Sequence, residues 1–319
     1  MGKVNKANKK RARVARSFEQ RFRNTAAGHQ PVQVERKMHR AHRAYQAHFV
    51  KDEGVLQLNI WQEFIIYMIW LRRGLDNDIL CDKFLGKKTN ASMRCVREVL
   101  RTWAGVVHSV LNAEEWWLKA EKGLCLHSKA FDRAPNTLVV SDCSNVNVGG
   151  TCDEMIRQQL YSSYYKHTCG KYCVSCSRIG GCVSCGPGQG GPAGDFQCMK
   201  ASGLFNSEKW VVGADEPWPQ HLYDAGVSRR TRSACLECKC DLQTSGIVRN
   251  SAKNHMSYQQ RSQNFKTSSL RIRVENFIGI IKQRFKILNQ NIPLTELGLL
   301  DKVVFSCFML HNFGNPIIN

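Results

Sequence analysis

Three carboxylates stand where a hydrolytic metal centre would need them. Asp142 closes the run Thr137-Leu-Val-Val-Ser-Asp142, and Asp215 closes Lys209-Trp-Val-Val-Gly-Ala-Asp215. Both runs are short and apolar, and each reads as a buried strand ending on an acid. The third acid, Glu275, lies within a long helical stretch over residues 268–285. At about 100° per residue, and with Arg271 as zero, Glu275 falls near 40° and Lys282 near 20°. The three therefore share one stripe, beside an apolar arc made by Leu270, Val274, Phe277, Ile278, Ile281 and Phe285. This reads as a half-buried carboxylate between two cations, although an ordinary ion pair between Arg271 and Glu275 would explain the spacing too. Hard divalent cations take carboxylate oxygens, and three converging acids repel one another unless metal neutralises them. Two such ions about 3.5–4 Å apart can activate water and stabilise the leaving oxygen of a phosphodiester. Strand-end aspartates are also common turn starters, so spacing alone leaves both readings open.

The elements that must position these acids can be read around them. Lys171 to Cys176 and Gly181 to Cys185 form a hairpin about Ser177-Arg-Ile-Gly180. The glycine-rich loop Gly186–Gly194 leads into Asp195 and a short helix, and Leu299–Leu310 is a further helix. A strand, a hairpin, a helix, a second strand and more helices describe an α/β domain with a mixed sheet over residues 136–319.

Upstream, three short helices are expected at Leu56–Leu71, Asn77–Leu85 and Ala91–Trp103, separated at Gly74 and Gly86. Thr89 or Asn90 would cap the third. On that helix Arg94, Arg97 and Arg101 fall within an arc of about 60°, opposite Val96, Val99, Leu100 and Trp103. Residues 52–104 thus read as a small all-α helix-turn-helix domain whose basic face suits phosphates and guanine edges. A solvated amphipathic helix is the plainer alternative. Residues 105–135 read as a linker.

The chain carries 46 lysines and arginines against 26 acids, a formal +20 that suits a polyanion, most simply double-stranded DNA. Residues 1–44 hold thirteen of these cations and only Glu19 and Glu35, so residues 1–50 read as a basic arm, disordered or loosely helical, for phosphate contact or nuclear import. The first residues are too charged for a signal peptide, and the most apolar stretch, Ile60–Leu71, is too short to span a bilayer. With 43% hydrophobic residues the chain buries a real core. Fifteen cysteines without a secretory signal imply reduced thiols, hence a nuclear location, or a cytoplasmic one in a prokaryote. Cys173-x-x-Cys176 and Cys182-x-x-Cys185 superficially resemble a zinc site, but side chains alternate along a strand, so Cys173 and Cys176 point opposite ways.

The block Leu138–Phe313 resembles the DDE superfamily endonuclease domain of PIF/Harbinger-like transposases. Ser141-Asp-Cys-Ser144, Gln159-Leu-Tyr-Ser-Ser-Tyr-Tyr-Lys166, Gly190-Gly-Pro-Ala-Gly-Asp195, Ser202-Gly-Leu-Phe205 and Ala214-Asp215 are similar to its motifs in order. So are the Arg271, Glu275 and Lys282 spacing and Leu310-His-Asn-Phe313. Ser144 stands where Thr is usual, and Glu216-Pro217-Trp218 departs from the pattern. The upstream helices are similar to the helix-turn-helix that often precedes this domain.

The resemblance implies a ribonuclease-H-like mixed sheet flanked by helices, in which Asp142, Asp215 and Glu275 are catalytic and bind two Mg²⁺ or Mn²⁺ ions. Asp195 is a fourth acid that either joins the metal set or caps its helix. Arg271, Lys282 and, more weakly, Lys166 would contact DNA phosphates, with Arg94, Arg97 and Arg101 reading DNA. Phosphodiester hydrolysis followed by strand transfer is the implied activity. An accessory DNA-binding protein and a homo-oligomer are further partners it leaves room for. The alternatives are a domesticated, inactive DNA-binding protein and a zinc-dependent nucleic-acid-binding module.

Overall fold

The computed structural model describes residues 58–86, 89–112, 137–177, 179–202, 220–223, 242–244 and 257–313. The expected basic arm and most of the linker lie outside these residues. The chain divides into two units: one contains the helices up to residue 112, and the other contains the sheet.

The helical unit begins with α1 (Ile60–Arg73), started by a capping box in which Asn59 and Gln62 exchange side-chain to main-chain hydrogen bonds of 2.9 Å. Gly74 ends it in a left-handed conformation (φ 61°), which a glycine adopts without steric penalty. A short α2 (Asn77–Leu80) runs into a π turn at Cys81–Leu85, closed by left-handed Gly86. α3 (Asn90–Asn112) follows, with Thr89 Oγ1 accepting the Ser92 N–H at 3.1 Å. Phe64 of α1 packs on Trp103 of α3 with ring centroids 4.9 Å apart, and Trp103 Nε1 donates to Glu63 at 3.3 Å. α3 runs nine residues past its expected end. Residues 105–112, read as linker, continue it because Val106, Val107, Val110 and Leu111 extend the buried stripe.

In the second unit, β1 (Thr137–Asn147) is central. It pairs antiparallel with β3 (His167–Ser177), residue by residue from Val139↔Ser177 to Asn147↔Cys169, and parallel with β6 (Gln220–Tyr223). β6 pairs parallel with β7 (Leu242–Thr244). On its other side β3 carries three short antiparallel partners: β2 (Tyr161–Ser162), β4 (Cys182–Cys185) and β5 (Gln189–Gly190). The result is a mixed sheet, with α4 (Glu154–Leu160) before β2 and α5 (Asp195–Ala201) after the glycine-rich loop. α6 (Tyr258–Arg284) packs on β1, and α7 (Leu300–Leu310) closes the described part of the chain before a 3₁₀ turn at His311–Phe313.

The β3–β4 hairpin forms where it was read. The strand expected at residues 209–215 lies outside the described residues. The described parallel neighbour of β1 is Gln220–Tyr223. β1 itself does not stop at Asp142. It runs five residues further, because β3 offers a partner for each main-chain group of the polar Cys-Ser-Asn segment. Among the described residues no helix is long and apolar enough to cross a membrane.

Candidate active site

Alternation along β1 decides which side chains meet. Ser141 and Cys143 lie on one face: Ser141 Oγ is 2.7 Å from Ser175 Oγ, and Cys143 lies opposite Cys173. Asp142 projects from the other face, with Val140 and Val146, and is buried. One of its oxygens accepts the Cys143 N–H at 2.7 Å. Two residues along the same face, Ser144 Oγ is buried with no hydrogen-bond partner among the described residues. A buried carboxylate beside an unsatisfied hydroxyl makes this the polar spot of an otherwise apolar face.

α6 brings the second acid. Val274, Phe277 and Ile281 are buried along it, as the helical arc predicts, and Phe277 meets Phe308 of α7 with centroids 6.1 Å apart. Glu275 is exposed rather than half-buried. Lys282 does not project to solvent. Its ammonium donates to the Asn145 carbonyl oxygen at 2.7 Å and lies 3.4 Å from Asn145 Oδ1, and burial lowers its pKa. Glu275 lies seven residues back from Lys282, about 10 Å along the helix axis. Asp142 lies three residues back from Asn145, about 10 Å along the strand. α6 runs in the direction of β1, with Phe277 near the start of the strand beside His311 and Lys282 near its end. Glu275 lies two residues before Phe277, toward the start of the strand, and Asp142 lies midway along it. Arg271 is on α6, and its side chain lies outside the described residues, as does the whole of Asp215.

Asp195 sits elsewhere. Lys171, the partner of Asn145 in β3, points to the face opposite Asp142 and donates to Asp195 Oδ1 and to the Ala193 carbonyl, both at 2.9 Å. Burial alone would lower the Lys171 ammonium, but the hydrogen bond and charge of Asp195 outweigh it and leave the pKa raised. Asp195 does not cap its own helix. Gly194 holds the cap position, with Gln197 Oε1 accepting its N–H at 3.1 Å. Lys171 and Asn145 were not singled out in the sequence. Lys171 could have been, as the strand residue of matching parity facing the acid after the glycine-rich loop.

The cysteines line both faces. Cys143 lies among Cys173 and Cys198, and its thiol is raised by its hydrogen bond with Cys173 and by burial. Cys176 lies opposite Cys182 on the other face, where burial pushes it up to about 12. Thiols held protonated are poor metal ligands. Lys166 is exposed in the β2–β3 turn, and Arg94, Arg97 and Arg101 are exposed on α3, where Arg101 pairs with Glu98 at 3.2 Å.

For divalent ions the donors present fit in kind: a buried aspartate with one oxygen held by a main-chain N–H, an unsatisfied hydroxyl beside it, and a glutamate from the packed helix. Among the described residues, no group of three or more histidine, cysteine, aspartate or glutamate side chains is close enough to hold an ion. Comparison with curated proteins gave no match, and comparison with solved structures gave none. The sequence profile of the DDE superfamily endonucleases, however, matches residues 141–312, from the strand bearing Asp142 to the turn after α7, and the chain belongs to that family.

Proposed function

We propose that this protein is a transposase-type DNA endonuclease of the PIF/Harbinger kind. Its catalytic domain, residues 136–319, is ribonuclease-H-like, and a basic arm (1–50) and a helix-turn-helix (52–104) precede it. The observation that carries this reading is Asp142, a buried carboxylate on the central strand two residues from the unsatisfied Ser144 hydroxyl, with α6, the helix that bears Glu275, packed on that strand. The strand order supports it as well: β1 lies between antiparallel β3 and parallel β6, with β7 beyond. Asp215 is the third acid of the set, and double-stranded DNA is the substrate. Asp195 is engaged with Lys171 on the far face and is left out of the metal set.

Asp142, Glu275 and Asp215 would hold two divalent ions, Mg²⁺ or Mn²⁺, of the kind this family typically uses. When bound, these supply Lewis acidity toward the scissile phosphate and lower the pKa of water. The chain's own residues do the rest. The Cys143 N–H fixes the orientation of Asp142. Lys282 fixes the height of α6 against β1. Arg271 and Lys166 contact phosphates, and Arg94, Arg97 and Arg101 hold the duplex. Hydrolysis exposes a 3′-hydroxyl, and its attack on a second phosphodiester would complete transposition, in the nucleus of a eukaryote.

Nicking of supercoiled plasmid in Mg²⁺ or Mn²⁺ tests this. Asp142→Ala and Glu275→Ala should each lower the rate by about 100-fold or more while leaving DNA binding intact. Mn²⁺ should raise the melting temperature of the wild type and not of Asp142→Ala. A folded wild type that binds DNA, nicks nothing and does not respond to Mn²⁺ would refute the enzyme and leave a domesticated DNA-binding protein.

A further inference from the structure

The turn between β2 and β3 carries a ring that the fold does not use. Tyr164 is 83% exposed, and it meets Tyr165 edge to face with centroids 4.9 Å apart, which leaves at least one face of its ring in solvent. Tyr165 lies in turn on His167, centroids 5.9 Å apart, and the His167 ring is anchored through Nδ1 to the Tyr165 carbonyl at 2.8 Å.

This is a rigid projection. Buried Ser162 closes the turn twice, its carbonyl accepting the Lys166 N–H at 2.8 Å and its hydroxyl the Tyr165 N–H at 3.3 Å. Lys166, two residues after Tyr164 and exposed, is the non-glycine residue among those described with positive φ, at 62°, a conformation that costs about 1 kcal/mol or more. The base of the turn is clamped as well. A Cβ at Gly190 would overlap the Gln159 carbonyl oxygen and one at Gly191 the Leu160 carbonyl oxygen, so the loop leading to Asp195 presses directly on α4 and β2. Burial raises the Tyr165 hydroxyl, Lys171 opposes that shift, and Asp195, Tyr164 and Asp142 add smaller increments to it.

We propose that Tyr164 is a stacking platform for a nucleobase released from its pair beside the cut, with Lys166 on the adjoining phosphate. The inference rests on the endonuclease reading, in which the face around Asp142 meets DNA. A lone open ring next to a lysine suits a planar base on an anionic backbone, whereas a protein partner would need a wider apolar surface. Stacking on aromatic rings is also how proteins hold bases that have left the duplex.

The test uses the full chain in Ca²⁺, so that binding is read apart from cleavage. One probe is a 20-base-pair duplex ending in a three-nucleotide unpaired fork that contains 2-aminopurine. The second is the fully paired duplex, and the third has abasic residues in the fork. Wild type should quench the 2-aminopurine and prefer the fork. Tyr164→Ala should weaken fork binding by about 5- to 100-fold without changing duplex or abasic-fork affinity, and Tyr164→Phe should restore it. Lys166→Gln should weaken all three probes and flatten the salt dependence. Equal losses on all three probes with Tyr164→Ala, or fork affinity within twofold of wild type, would overturn the proposal. Plasmid nicking in Mn²⁺ is measured alongside. Nicking retained with fork affinity unchanged sinks the stacking role alone, whereas nicking absent with quenching intact sinks the endonuclease reading and leaves the base-binding turn standing.

Discussion

Lys171 and Asp195 meet at 2.9 Å on the face of the sheet that carries Cys143, while Asp142 lies on the other. Lys171 and Asp195 retain 13% and 29% side-chain exposure, so their ion pair is largely but not wholly desolvated. Asp195→Asn should therefore cost about 1–3 kcal/mol of stability, seen as a lower melting temperature, while metal-dependent nicking survives. If Asp195→Asn abolished nicking in a protein of unchanged melting temperature, Asp195 would belong with the metal ligands after all. A second residue reports on pH. His311 is held neutral in the folded protein, its pKa lowered from 6.5 to about 4 by burial and then by Arg284, whose Nη1 lies 3.2 Å from Nδ1. Below about 6.5 the unfolded chain binds a proton that the folded protein refuses. The stability that neutral His311 allows is thus complete above pH 6.5 and is lost progressively as pH falls toward 4. Melting curves from pH 7 to 4 should fall less steeply for His311→Gln than for wild type, the difference at pH 4 being on the order of 2–3 kcal/mol.

At the scale of elements, the tie between Lys282 and β1 makes α6 more than a packed helix. Lys282→Met keeps the buried stem but removes the hydrogen bond that ties α6 to β1. The expected outcome is a fall in nicking rate of about tenfold or more with DNA affinity nearly unchanged, and partial rescue by Lys282→Arg. Equal losses in affinity and rate would instead make Lys282 a phosphate contact. The lysine was legible in the sequence and its position was not: a helical wheel put it on one stripe with Arg271 and Glu275, but only the strand beside it shows that the ammonium turns inward. The same limit explains the rest. The hairpin and α7 could be read because Ser177–Gly181 and the apolar run from Val303 to Leu310 are strong local signals. α6 begins ten residues before its expected start, since Tyr258 to Thr267 is polar and offers no apolar stripe. α4, with its polar Arg157-Gln-Gln159, was missed for the same reason, although the Asp153 side chain accepts the Met155 and Ile156 N–H groups and starts it. Pairing partners are non-local, so the extension of β1 past Asp142 could be seen only with β3 in place.

Across the whole molecule, charge and catalysis are unevenly distributed. The thirteen cations of residues 1–44 stand apart in sequence from the acids, so removing the arm should reduce affinity for any duplex and lower the slope of log affinity against log salt by about 0.9 for each phosphate no longer neutralised. Sequence preference should persist, since it would come from α3, where Arg94, Arg97 and Arg101 are exposed. Loss of preference along with the arm would place recognition in residues 1–44 instead.

The partner that Lys282 chooses has an evolutionary corollary. Its shorter hydrogen bond goes to a main-chain carbonyl, which every amino acid at position 145 would supply, and the side-chain approach is longer. Related chains can therefore exchange Asn145 freely while retaining the lysine. Pairwise covariation between the two positions should be weak even though the atoms touch, and proximity inferred from aligned sequences would leave this strut out.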